Sequence, residues 1–178
     1  RASAGRGLRW GLILAAVVLA GCFLAFAAPP TRGMFLDERA SGLSVSELLL
    51  RVLVRVPLGT VLLEEVAFRG VLWAMIERRR GASRATWVSS VLFGFWHVLP
   101  SLGIAGSNSA VGAVFGHSTL GGALSVTTVV AATAAAGAVL CEIRRKTGSL
   151  LAPAALHWTV NGMGYVLAWG ASRWWGGS

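Results

Sequence analysis

Five apolar stretches, at residues 10–28, 57–77, 85–99, 120–142 and 150–171, alternate with short loops in which arginines cluster. A bilayer's hydrocarbon core takes about 20 helical residues, and four of the five stretches are close to that length. In lipid every backbone amide must be satisfied within its own segment, which restricts such stretches to helices. The pattern therefore predicts an all-α fold, a polytopic transmembrane helix bundle of about five spans in a single membrane domain over 1–178. Composition agrees: 55% of residues are hydrophobic and 13% charged, where a soluble domain is nearer a quarter charged. The formal charge of +9 is not spread as a nucleic-acid-binding face would be. It collects between spans, so the expected partners are membrane lipids and a membrane-bound peptide or protein substrate, with no nucleic acid.

The basic clusters also orient the chain. Arg1, Arg6 and Arg9, then Arg78, Arg79, Arg80 and Arg84, then Arg144, Arg145 and Lys146 fall on one side, ten of the sixteen basic residues. By the positive-inside rule that side is cytoplasmic, and the amino terminus of this integral, multi-pass membrane protein is placed there. For residues 10–28 a cleaved signal peptide is the rival to a retained span, since Ala25-Phe26-Ala27 matches a small-x-small cleavage pattern. Residues 29–45 read as a loop. Ser44 to Val56 is amphipathic, with Glu47 and Arg51 at i,i+4, and is expected to lie along the interface as a separate helix. Pro57 then suits the first turn of the next span, where its missing amide costs nothing. Pro100 is expected to end the third span, and the Gly- and Ser-rich stretch 101–119, with His117, reads as a loop or re-entrant segment. Cys22 and Cys141 both lie in apolar runs and read as small core residues.

Within the second span, Leu62-Leu63-Glu64-Glu65-Val66-Ala67-Phe68-Arg69-Gly70 puts three charges at membrane depth. Ionisable groups there are costly, and are usually paired and functional. Glu65 and Arg69 are four apart, the spacing of an ion pair along one helix face. Adjacent α-helical residues point about 100° apart, so Glu64 is left to face something else. Glu65 and Arg69 are thus expected to be structural support and Glu64 to be chemical.

Depth brings other residues to Glu64. It stands 13 residues before Glu77, His97 stands 13 after Arg84, and His157 stands 13 after Arg144. Each position is roughly 20 Å from the basic side. Phe93 and His97 share a face at i,i+4, as do His157 and Asn161. No serine or cysteine stands in a nucleophilic arrangement with these histidines, which makes water the expected attacking species. A carboxylate in an apolar site is a better base near neutral pH.

Glu64-Glu65-x-x-x-Arg69, Phe93-x-x-x-His97 and His157-x-x-x-Asn161, in that order, resemble the signature of the CPBP family of intramembrane endopeptidases. This is the CAAX protease and bacteriocin-processing group, also called Abi proteins. Phe68-Arg69-Gly70, Thr147-Gly148-Ser149 and Pro153-Ala154-Ala155-Leu156-His157 look like its usual context, and the resemblance covers a catalytic core at 57–168. It implies catalytic roles for Glu64, His97, His157 and Asn161, in hydrolysis of a peptide bond by Glu/His-activated water. Relatives commonly have more than five spans. One Glu and two His would also satisfy a catalytic zinc site, with Glu64, His97 and His157 as candidate ligands, and the family is often called metalloprotease. No His-Glu-x-x-His pair is present, and a glutamate-activated water needs no ion, so both options stand. Two other functions fit the same residues: a non-catalytic immunity or scaffold protein that keeps the polar cluster as interhelical glue, and an ion or proton carrier.

Overall fold

The computed structural model describes residues 2–175, with side chains from residue 4 onwards; Arg1 of the first basic cluster lies outside them. Every long element among the described residues is a helix, and no strand occurs. Helix α1 spans Ala2–Ala27, α2 runs unbroken over 45–80, α3 spans Ala82–Trp96, α4 Thr119–Thr147 and α5 Leu151–Trp174. The polarity of the bundle is that of a membrane protein. Leu62, Leu63, Val66, Val71 and Met75 of α2 face outward, while Glu64, Glu65, Arg69, Ser89, Ser90 and His157 are buried between helices. By length and composition α1 and α4 can each cross a membrane, and α3 with the helical stretch after it makes a third, bent candidate.

Start and stop chemistry sets the elements. Ser44 opens α2 with a capping box: its hydroxyl accepts from the Glu47 amide and the Glu47 carboxylate accepts from the Ser44 amide. Gly81, at φ 80°, turns α2 into α3, and Gly148, at φ 67°, ends α4 just after Arg144, Arg145 and Lys146. Ser118 caps α4. The 29–43 segment holds a short 3₁₀ helix, Pro29–Phe35, and is zipped to the 104–115 segment. The Asn108 amide donates to Met34 O (3.2 Å) and the Ser109 hydroxyl to Gly33 O (3.0 Å). Beside this seam burial pushes the Asp37 carboxyl up, but side-chain and backbone hydrogen bonds from Arg39 outweigh it and hold the group below its ordinary value.

Two expectations about proline are corrected. Pro57 does not start a helix: the interfacial segment and the second span are one continuous element with Pro57 inside it. The reason is a change of register. Residues 51–61 and 65–72 are π-helical, closed by bonds such as Leu62 N–H to Pro57 O and Trp73 N–H to Phe68 O. In that i→i+5 register the missing Pro57 amide would leave the Val52 carbonyl bare. The Trp158 indole of α5 donates to that carbonyl at 2.8 Å. Trp158→Phe is therefore expected to destabilise the bundle by about 0.5–1.5 kcal/mol, the net contribution of one hydrogen bond at a partly exposed carbonyl, read as a lower unfolding temperature in detergent. Pro100 does not end α3 either. The helix stops at Trp96, with His97 outside it at φ −88°, ψ 1°, and Pro100 sits within the next short helix, Val98–Ser101. Proline at 100 lacks the amide that would bond the Trp96 carbonyl and its ring crowds that oxygen, so the break falls four residues upstream. The stretch from 98 to 107 leaves α3 at 43°.

Two close helix contacts bring the parts together. A Cβ at Gly94 of α3 would stand 2.6 Å from Val130 O and 2.9 Å from Ala134 Cβ on α4, so these backbones touch. Gly11 of α1 meets Ala155 of α5 as closely, at 3.0 Å. At the far end of that pair Phe26 packs on Trp175 (4.6 Å between ring centroids) and Trp174 (5.9 Å). The Ala25-Phe26-Ala27 pattern therefore sits in a packed helix end.

Candidate active site

Glu64 and Glu65 lie where the short α-helical piece Leu62–Glu64 gives way to the second π-helical piece. More residues per turn means that neighbours diverge by less than in an α-helix, and here both carboxylates reach the same partner. His157 of α5 stands between them. Its Nδ1 is 2.8 Å from Glu65 Oε1 and its Nε2 is 3.7 Å from Glu64 Oε2. Glu65 Oε1 also accepts from Arg69 Nη1 at 3.1 Å, in a pair with exposures of only 1% and 0%. The expected Glu65–Arg69 pair is thus present, and it does more than expected: the same oxygen fixes the His157 ring. A carboxylate oxygen only accepts, so Nδ1 of His157 carries a proton and Nε2 faces Glu64.

Glu64 is not free. Its Oε1 accepts from the Trp96 indole at 3.0 Å, while Oε2 is buried with no hydrogen-bond partner among the described residues. Trp96 is a partner of Glu64 that the motif spacing missed. The signal available was its position three residues after Phe93, on the same helical face.

Phe93 is the hub of the aromatic side. Arg69 stacks over its ring, 3.9 Å from the centroid, and both His97 (4.7 Å) and His157 (5.8 Å) meet it edge-on. A guanidinium over an aromatic face is attractive, more so away from water. His97 Nδ1 lies 2.8 Å from Phe93 O, an acceptor, which places the proton on Nδ1 and leaves Nε2 bare in the neutral ring. The Ser89 hydroxyl donates to Phe68 O (2.9 Å) and the Trp73 indole to Thr86 Oγ1 (3.1 Å), fastening α2 to the part of α3 that precedes Phe93. Gly137 of α4 closes the back: a Cβ there would meet Phe93 Cδ1 at 3.1 Å and Arg69 Nη2 at 3.4 Å.

Three helices therefore bring Glu64, Glu65, Arg69, Phe93 and His157 into one buried cluster, with the exposed Trp96 at its edge and His97 against Phe93. Asn161 lies one turn beyond His157 on α5, half-buried. The candidate metal ligands are not gathered into one set. Among the described residues no three His, Cys, Asp or Glu side chains stand together closely enough to hold an ion. As placed, Glu64, His97 and His157 do not fit a zinc ion, whose structural and catalytic sites need three or four donors about 2 Å from it.

Residues 46–163 match the family of Rce1-like type II CAAX prenyl endopeptidases. The chain belongs to this family. No curated protein and no solved structure matches it. The Rce1-like stretch takes in every residue of the cluster and Asn161, and leaves α1 outside. Membership of a protease family, together with the apolar helices, makes this an integral membrane protein of peptidase type.

Proposed function

We propose that the chain is an intramembrane endopeptidase in which Glu64 activates water. The observation that supports this best is the convergence of two carboxylates, Glu64 and Glu65, on the two nitrogens of His157 inside an apolar bundle. A Glu65–Arg69 pair alone would suffice to hold α2 together; a second, differently held carboxylate facing a histidine needs another purpose. Glu64 Oε2 takes a proton from the attacking water as its oxygen bonds the scissile carbonyl carbon. His97, with its bare Nε2, holds the same water. His157, with its ring fixed through Nδ1 to Glu65, donates from Nε2 in its doubly protonated form to the developing oxyanion, and the Asn161 amide donates beside it. When the tetrahedral species collapses, the C–N bond breaks and Glu64 returns its proton to the leaving amine.

The surrounding topology belongs to the same proposal. α2 and α5 join the three apolar candidates to make five spans, because pairing of Glu65 with Arg69 removes the main obstacle to placing α2 in lipid. The basic loops face the cytoplasm with the amino terminus. Residues 57–168 form the catalytic core of a single membrane domain. The substrate is membrane-associated, of CAAX or bacteriocin-like type.

No step here runs through a metal ion. Activity is accordingly expected to survive dialysis against a strong chelator, within twofold or so of the untreated protein; loss on chelation with recovery on Zn²⁺ would assign the chemistry to a metal instead. The reading itself is tested by comparing membrane proteomes of cells carrying the wild-type chain and Glu64→Gln. New protein termini that depend on Glu64 are expected. Identical proteomes, with partner binding intact, would favour an immunity or scaffold role.

A further inference from the structure

A cavity lies outside the Glu64 cluster, in the cleft between α3 and α4 near their basic ends. It measures about 670 Å³, is open along one side, and has small residues, Ala134 and Ala138, as its floor, with Trp87 as one wall. Trp87 is largely exposed near the basic end of α3, and indoles near span ends settle against headgroups. Arg145 and Glu142 stand at the mouth, and Lys146 shares the Glu142 carboxylate. Around this end the chain places Arg78, Arg79, Arg80, Arg84, Arg144, Arg145 and Lys146 against only Glu77 and Glu142.

Behind the cleft wall one hydroxyl makes no hydrogen bond among the described residues. It belongs to Ser90, one of the lining residues but only 5% exposed, with its Oγ closed off from the cleft. Ser90 lies six residues along α3 from Arg84, about 9 Å deeper into the membrane. Thr86 lines the same wall, and its oxygen accepts from Trp73, so its own O–H remains to donate. An apolar groove with the Thr86 hydroxyl just below a basic mouth matches, in order, the acyl chain, an ester carbonyl and the phosphate of a phospholipid. Basic pockets between transmembrane helices on the cytoplasmic side bind anionic headgroups.

We propose that the α3–α4 cleft is a binding site for one anionic glycerophospholipid, with its phosphate at Arg145 and an ester carbonyl at Thr86. The site is separate from the Glu64 cluster and does not depend on the peptidase reading. It is tested by native mass spectrometry of the detergent-purified protein titrated with phosphatidylglycerol or phosphatidylcholine. One phosphatidylglycerol is expected to be held about tenfold more tightly than phosphatidylcholine, as net positive charge at the mouth requires. Arg145→Gln should weaken it about fivefold, whereas Glu142→Gln, which releases Arg145 and Lys146 from their carboxylate, should tighten it. Arg55→Gln, an exposed arginine on α2, should change neither. Ala138→Phe, which fills the floor, should remove one bound lipid whatever its headgroup. Equal retention of the two lipids, the same sign of change for Arg145→Gln and Glu142→Gln, or a second protein helix in the cleft would overturn the proposal.

Discussion

Glu64→Gln is expected to lower proteolytic turnover by about 10²–10⁴-fold while leaving the fold in place, the range associated with loss of a positioned general base. The substitution is close to isosteric. The amide oxygen of glutamine still accepts from the Trp96 indole, which lies 3.0 Å from Glu64 Oε1, and the amide nitrogen can occupy the place of Oε2 beside His157. What disappears is the capacity to take a proton. Turnover measured on a membrane-delivered peptide, beside an unfolding curve in the same detergent, separates the two quantities. A variant that folds and still cleaves at the wild-type rate would remove Glu64 from the mechanism. Trp96→Phe provides the intermediate case, because it keeps an aromatic wall but drops the donor to Oε1. A hydrogen bond to a charged group contributes about 1.5–3 kcal/mol, so a loss of about 10–100-fold is expected if that bond holds the carboxylate in line.

What the sequence discloses about this site depends on how local each relation is. The Glu65–Arg69 pair follows from spacing alone, since four residues along a helix return to one face, and the structure contains it at 3.1 Å. Counting depth from the arginine clusters was enough to bring α2 and α5 together at Glu64 and His157. The register of α2 was not legible. A π-helical stretch has no signature in hydrophobic periodicity, and Pro57 reads as a helix start until one sees that Trp158, a hundred residues later, satisfies the carbonyl it leaves open. That register also lets Glu65 reach His157, which the 100° rule for an α-helix argued against. Proline at 100 was read at its own position, although its physical effect falls on the carbonyl four residues earlier, and so the end of α3 came at Trp96 and His97. Gly137 gave no signal at all: its role is to leave room for Phe93 and Arg69, which only the packing of α4 reveals.

Arg69→Met is expected to be the most destabilising single change in the bundle, at about 3–5 kcal/mol, because it strands the Glu65 carboxylate in an interior with no water to solvate it. Arg69 is fully buried, and its guanidinium also lies 3.9 Å from the Phe93 ring centroid, so the loss extends to the face that holds His97 and His157. Pairing Glu65→Gln with Arg69→Met removes both charges at similar volume. Buried ion pairs replaced in this way often return to wild-type stability or better, so the double variant should unfold near the wild-type temperature. Activity should not return with it. Glu65 Oε1 bonds His157 Nδ1 at 2.8 Å, and a neutral amide there holds the imidazole less firmly. Unfolding temperature and turnover, measured together on the single and double variants, thus divide the two jobs of one carboxylate. Recovery of both would make Glu65 and Arg69 a packing pair and nothing more; recovery of stability alone would make Glu65 the positioning residue for His157.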